Sequence, residues 1–499
     1  MSSSVATTAA AQGAANSSSI SDSAAASTAP TASTLSPELS ASIRSFYEHT
    51  TAPSSLPALR ATLHAFLSNL APGTRVAAVT SGGTLVPLEA NMVRCVDNFS
   101  TGTRGAALVE HLLERGYAVV MLARRGSAVP FLRRIAWMLE KQNQAAAAAT
   151  TTAATATTAS SSSAIGSSLP PLPSSAPSLN SIAFLRALSV DAAGSGLTLN
   201  LAGASPPSSA AASSSVAVSA SQVSSILSSV SRFQSELSGR LLSLEFSSVG
   251  EYLFSLRTLC RALRDVPPKL AAGAAAASST AARQRSCMLL LAAAVSDYHI
   301  PADQLSVHKL QSRSGGALEL RMEQTPKVLH CLRHKMAPRP AAAAVDASSA
   351  AAAAVGAGSS SASSLPAPSA DPAISDSAWC PQAFALSFKL ETDASLLVSK
   401  SRVALREYGV NVVCANGLHT RYNQLQLIVP PANSAVAVGA AAVSSATTGA
   451  ATATPDDEDG ITTIVRAPAT PDQDEFAVEL EVEMVRKLME MHDRWIASA

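Results

Sequence analysis

The chain has 499 residues, a formal net charge of +1 and only 14% charged residues, against about 25% in ordinary globular proteins. The near-neutral charge gives no electrostatic footprint for nucleic acid or an acidic partner. No run of about 20 strongly apolar residues marks a transmembrane helix. The charge deficit lies in alanine-, serine- and threonine-rich tracts, so the length overstates the number of domains. The six cysteines, Cys95, Cys260, Cys287, Cys331, Cys380 and Cys414, contain no CxxC spacing. They suit reduced thiols of a cytoplasmic protein better than a disulfide framework. The first basic residue is Arg44, so neither a secretory signal nor an Arg-rich presequence is expected.

Residues 1–36 are expected to form a disordered low-complexity tail, ahead of a single domain over 37–498. Pro37–Thr50 reads as a helix with Ser36 as N-cap and Leu39, Ile43 and Phe46 on one face. Leu56–Leu70 reads as a second helix. A short apolar strand, Val76–Val79, then runs into the turn Thr80-Ser81-Gly82-Gly83-Thr84. A long loop follows and reaches Asp97–Gly102, after which Ala106, Leu108, Val109, Leu112 and Leu113 share a helical face. Strand, glycine turn and helix N-terminus together make an anion cradle, because glycines admit a phosphate close to the backbone and helix-start N–H groups point at it. The turn is not G-x-G-x-x-G, and no P-loop lysine follows.

Tyr117–Ala123 is a buried strand and Pro130–Lys141 a helix. An insertion at 144–235 is expected to be disordered, broken by apolar islands at Ile182–Leu188 and Val223–Phe233. Leu241–Phe246 is a strand and Val249–Leu263 a helix; a second insertion covers 266–284. Cys287–Val295, the most apolar strand candidate, ends at Ser296-Asp297-Tyr298. Val307–Leu310 and Leu318–Met322 read as short strands and Pro326–His334 as a helix, before a third insertion at 336–378. Ala383–Phe388 is a strand, Asp393–Tyr408 a helix ended by Gly409, and Val410–Cys414 and Leu425–Val429 are strands. After a fourth insertion at 431–460, Asp474–Trp495 is a long helix. This alternation predicts an α/β fold with a mostly parallel sheet and helices on both faces. Long insertions are tolerable, since closure entropy grows slowly with length.

In open α/β sheets ligands sit beyond the carboxyl ends of the strands. The candidate residues are therefore Thr80–Thr84, the helix entry Asn98–Gly105, Ser296-Asp297, Phe388–Asp393, Ala415-Asn416 and His308–Ser312. Taken singly, each has a plainer role. Asp297 can cap a turn, Lys309 can be a solvated lysine, Asn416 a turn residue, and Glu391 and Asp393 helix-start acids. Together they favour a nucleotide or phosphate ligand. A dehydrogenase is disfavoured, because the dinucleotide fingerprint is missing and no tyrosine has a lysine four residues later. His330, Cys331 and His334 have no further ligand pair nearby in sequence, so no metal site is expected there.

Six segments carry a more specific signal: VTSGGTLVPLEANMVRCVDNFSTGTRG, LAAAVSDYHIP, HKLQS, TPKVL, FKLETD and VVCANGLHTR. In sequence and order they resemble phosphopantothenoylcysteine synthetase, in its stand-alone eukaryotic form without the flavin decarboxylase domain of bacterial relatives. The resemblance implies a Rossmann-like fold, a homodimer, and a ligase that joins 4′-phosphopantothenate to L-cysteine in coenzyme A synthesis. It implies use of a nucleoside triphosphate (ATP, with CTP possible) and Mg²⁺. Gly82, Ser100, Gly102 and Gly105 would line the nucleotide phosphates. Asn98 would hold the substrate carboxylate and then the acyl-phosphate. Ala293, Ala294 and Asp297 would hold 4′-phosphopantothenate, and Lys309 would neutralise charge on the α-phosphate. Phe388 and Asn416 would contact base or ribose, and Lys389 the triphosphate. Two other readings of the same residues are a non-catalytic nucleotide-binding regulator and an NAD(P)-linked oxidoreductase.

Overall fold

The computed structural model describes residues 33–138, 188–190, 197–199, 220–269, 280–311, 317–338, 376–431, 453–456, 460–468 and 475–498. The centre is a run of six parallel strands: β1 (Val76–Ser81), β2 (Ala118–Arg124), β3 (Leu241–Phe246), β4 (Cys287–Leu291), β5 (Phe384–Glu391) and β6 (Val412–Gly417). Their spatial order is β3-β2-β1-β4-β5-β6. An antiparallel edge continues the sheet through β7 (Gln424–Ile428), then β9 (Ile461–Val465) and β8 (Ala453–Asp456). The parallel order is that of the Rossmann fold.

Side chains alternate between the two faces of a strand, and both faces here are covered. Ala77, Val79, Val119 and Met121 face a core with α3 (Thr103–Glu114), α4 (Ala220–Arg232) and α7 (Leu480–Ala497). Val76, Ala78, Val120 and Leu122 face the opposite core, with α1 (Pro37–His49), α2 (Leu56–Ser68) and α5 (Val249–Asp265). Helix α6 (Ala394–Tyr408) packs beside β5 and β6. The helix punctuation follows the sequence. Ser36 Oγ accepts from the Leu39 N–H, Ser248 and Glu251 form a capping box, Asp393 accepts from the Ser395 N–H, and Gly409 ends α6 in the left-handed region.

Several expectations are corrected. Cys287–Val295 stops being a strand at Leu291, because the next backbone turns aside to bond the β1 side of the sheet. Val307–Leu310 is not a strand; its backbone is tied instead to the loop 88–94. Leu318–Met322 is irregular, with Leu318 and Leu320 exposed. The local pairing is Tyr298–His299 with Glu323–Gln324. Pro326–His334 contains only a 3₁₀ turn, Val328–Leu332.

Most of the tail 1–36 and of the four insertions lies outside the described residues. The insertion at 144–235 is nevertheless drawn too far. Its apolar island at Val223–Phe233 lies in α4 and the turn after it, with Ile226, Val230 and Phe233 buried in the core. Serines between the apolar positions hide that helical spacing. Within 431–460, residues 453–456 pair as edge strand β8. Within 336–378, Met336, Ala337 and Ala378 are buried. Within 266–284, residues 280–284 belong to a short helix.

Candidate active site

Strand order reverses between β1 and β4, so a crevice opens beyond their carboxyl ends. The turn after β1 is locked to the end of β4 by backbone. The Thr84 N–H donates to the Ala294 carbonyl (3.0 Å), and the Ala294 N–H donates to the Gly82 carbonyl (2.8 Å). Two β1-side hydroxyls finish the join: Thr80 Oγ1 accepts from the Ala293 N–H (3.1 Å) and Thr84 Oγ1 from the Ser296 N–H (3.0 Å). Gly82, Ala293 and Ala294 therefore meet at the switch point.

Close approach explains the glycines. Gly82 sits at φ +84°, and Gly102 at φ +75°, where a side chain is strained. At Gly83 a Cβ would lie 1.7 Å from the Asn98 carbonyl oxygen. The Asn98 N–H in turn donates to the Thr84 carbonyl (3.1 Å). A two-stranded ribbon, Leu85–Pro87 with Cys95–Asp97, carries the chain out and returns Asn98 to the glycine turn. At Gly105 a Cβ would lie 2.3 Å from Ser81 Oγ, so the first turn of α3 packs directly on β1. Gly82, Asn98, Ser100, Gly102 and Gly105 thus form one cradle.

The segments after β4 carry charge. The Asp297 side chain is 73% exposed and pairs with Lys327 Nζ at 2.8 Å. Lys309 is exposed on the segment after residue 305. That segment is anchored by a residue the sequence reading passed over. Glu89 is fully buried; its carboxylate accepts from the Arg94 N–H (2.9 Å) and the Leu310 N–H (3.2 Å) and pairs with Arg94 Nε at 3.1 Å. Desolvation raises its pKa, but these donors and the Arg94 charge outweigh it and hold the carboxyl below the usual glutamate range. A lone acid inside the apolar run LVPLEANM was the available signal.

The third group lies towards β5 and β6. Phe388 is half-buried against the core edge. Lys389 pairs with Glu391 (3.1 Å), which also holds Lys400 (2.7 Å). Asn416 is only 3% exposed. Its Oδ1 accepts from Arg104, and its Nδ2 donates to the Cys414 carbonyl (3.2 Å). The amide is therefore oriented by the protein, with one Oδ1 lone pair left over. Arg104, also unmarked by the sequence reading, binds Glu481 at 2.9 Å and the Arg421 carbonyl. It joins the start of α3 to α7 and to the loop after β6.

A glycine turn packed on a helix start at the switch point of a parallel sheet defines a Rossmann-like fold whose crevice suits a phosphate-bearing ligand. No family model matches the chain. It is 30% identical over 358 residues to human phosphopantothenate–cysteine ligase, spanning 70% of this chain and 75% of the relative. It is 29% identical over 383 residues to phosphopantothenate–cysteine ligase 1 of Arabidopsis thaliana, spanning 76% and 82%. A solved Cab2 mutant shares the fold, with a TM-score of 0.51 at 22% identity over 91% of this chain and 98% of that one. The chain belongs to the phosphopantothenate–cysteine ligase family.

Proposed function

We propose that this chain joins 4′-phosphopantothenate to L-cysteine, giving 4′-phosphopantothenoylcysteine for coenzyme A synthesis. Its relatives are named for that ligation, and a solved Cab2 mutant was captured with phosphopantothenate-cysteine. The structural observation that carries the reading is the interlock of Gly82 with Ala294 across the switch point. It supports placing a phosphate cradle and an acid-binding wall in one crevice.

A carboxylate does not condense with an amine in water, because its oxygen is a poor leaving group. In the proposed route the carboxylate oxygen attacks the α-phosphorus of a nucleoside triphosphate, and pyrophosphate departs with the bonding electron pair. The cysteine amine then adds to the acyl carbon, loses a proton, and the nucleoside monophosphate leaves. The protein's contribution is positioning and charge stabilisation. Asn98 is proposed to hold the carboxylate, Asp297 with the Ala293–Ala294 backbone the rest of the acid substrate, and Lys309 the α-phosphate charge. Gly82, Ser100, Gly102 and Gly105 are proposed to line the phosphates, Lys389 to meet the triphosphate, and Phe388 and Asn416 to contact base or ribose.

ATP is proposed as the nucleotide, with CTP as the alternative. Mg²⁺ is proposed to arrive with it. Among the described residues no three His, Cys, Asp or Glu groups converge on one point, which suits a hard cation carried by phosphate oxygens and water. When bound it would neutralise phosphate charge. A homodimer is proposed because Phe99 (81% exposed), Val93 (54%) and Val96 (40%) leave apolar surface beside the cradle, which a second copy would cover. A cytoplasmic location is proposed from the six free cysteines. Among the described residues no helix is long and apolar enough to cross a membrane.

The test uses purified protein with 4′-phosphopantothenate, cysteine, Mg²⁺ and either ATP or CTP. Pyrophosphate release that requires phosphopantothenate is expected. Folded protein that releases none with either nucleotide would contradict the proposal.

A further inference from the structure

The segment that leaves β2 closes the glycine cradle on a side where no residue has yet been assigned. The Ala128 N–H donates to the Thr101 carbonyl (2.9 Å), so this segment is latched to the loop entering α3. Arg124 pairs with Asp97, the neighbour of Asn98. Between them, Ser127 is only 8% exposed. A Cβ built on Gly82 would lie 2.3 Å from Ser127 Oγ, and one built on Gly102 would lie 3.3 Å from it. The hydroxyl therefore faces both positive-φ glycines.

Three serine hydroxyls ring this turn, and two make hydrogen bonds within it. Ser81 Oγ donates to the Gly102 carbonyl (3.0 Å). Ser100 Oγ accepts from the Gly102 N–H (3.4 Å). Ser127 Oγ has no hydrogen-bond partner among the described residues. The Ser127 oxygen is not one of the buried polar atoms left without a partner, so solvent reaches it and a ligand oxygen can reach it as well. Arg124 beside it pairs with Asp97 through one guanidinium nitrogen.

We propose that Ser127 is a further nucleotide-binding residue, its Oγ–H donating to a phosphate oxygen held at the rim of the turn that Gly82 and Gly102 form. The proposal rests on the ligase reading above. It predicts that the hydroxyl matters for nucleotide affinity and is dispensable for folding.

The experiment is calorimetric binding of α,β-methylene ATP, and in parallel α,β-methylene CTP, with Mg²⁺, to the full chain and to Ser127→Ala and Ser127→Cys. Thermal melts and KM values for 4′-phosphopantothenate accompany it. Both variants are expected to bind the preferred analogue about tenfold more weakly or worse, the loss of one hydrogen bond to a charged group. Melting temperature and the KM for 4′-phosphopantothenate should be unchanged. Wild type that binds and turns over, with both variants binding within twofold of it, overturns the Ser127 assignment alone. So does weakened binding in both variants that tracks a fall in melting temperature, which would mark an internal packing role. Wild type that binds neither triphosphate and releases no pyrophosphate overturns the ligase reading as well.

Discussion

The two walls of the crevice are built on opposite principles. The glycine wall is backbone and buried hydroxyls, with β1, the end of β4, the ribbon and α3 all touching through Gly82, Gly83, Gly102 and Gly105. The proposed second wall presents charged side chains, Asp297 and Lys309, on loops that are exposed at their tips. The first cannot change shape without clashes, which suits a cradle whose dipoles must be set before charge develops. The second is fixed at its base by Glu89 and stays open at its tip. Catalytic geometry and folding stability should therefore be coupled on one wall and separable on the other.

Four substitutions test that contrast, from the largest expected effect on the protein to the smallest. Gly83→Ala should be the most damaging, because its Cβ would meet the Asn98 carbonyl at 1.7 Å; a loss of about 4 kcal/mol or more is expected in denaturant unfolding. A variant of near wild-type stability would show that the glycine wall can yield. Glu89→Gln should come next, lowering the melting temperature and turnover together, since the segment bearing Lys309 loses its anchor. The sign of its pH dependence follows from a carboxyl held low. Its stabilisation is complete above the ordinary glutamate pKa of about 4.3 and is lost as the pH falls below that through the folded-state value. Melts of the variant should lack this part of the acid limb seen in wild type; identical acid limbs would remove Glu89 as the anchor.

Lys309→Met should separate the two properties. Turnover should fall about 100-fold or more, as for loss of a preorganised charge-stabilising group, with unfolding free energy within about 0.5 kcal/mol of wild type. Comparable losses in both would place Lys309 in the scaffold. The smallest effect is expected for Lys327→Ala, which breaks the exposed pair with Asp297. Exposed pairs contribute about 0–1 kcal/mol, so equilibrium unfolding should barely move. A larger shift would mean that the open wall is held by its ion pairs.

Much of this was legible in the sequence. Val76–Ser81 and Ala118–Arg124 are apolar runs that only a doubly covered strand tolerates, and Ser36 and Asp393 stand at their helix starts. The glycine turn declared itself because Gly82 and Gly83 directly follow a strand. What escaped depended on partners far away in the chain. The strand at Ile461–Val465 exists because Gln424–Ile428 offers it an edge. The residues at 307–310 look like a strand but spend their bonds on Glu89, Asn91 and Arg94, more than 200 positions earlier. Arg104 and Ser127 carry no local pattern; their meaning comes from Asn416 and Glu481, and from Gly82, brought beside them by the fold.

The central claim, that this crevice activates an acid before the amine arrives, is tested most directly without cysteine. The protein is incubated with 4′-phosphopantothenate, Mg²⁺ and the preferred nucleoside triphosphate, then quenched and analysed by mass spectrometry. One equivalent of pyrophosphate and an enzyme-bound 4′-phosphopantothenoyl-nucleoside monophosphate are predicted, with cysteine chased into product. Release of inorganic phosphate and a nucleoside diphosphate instead would contradict the account.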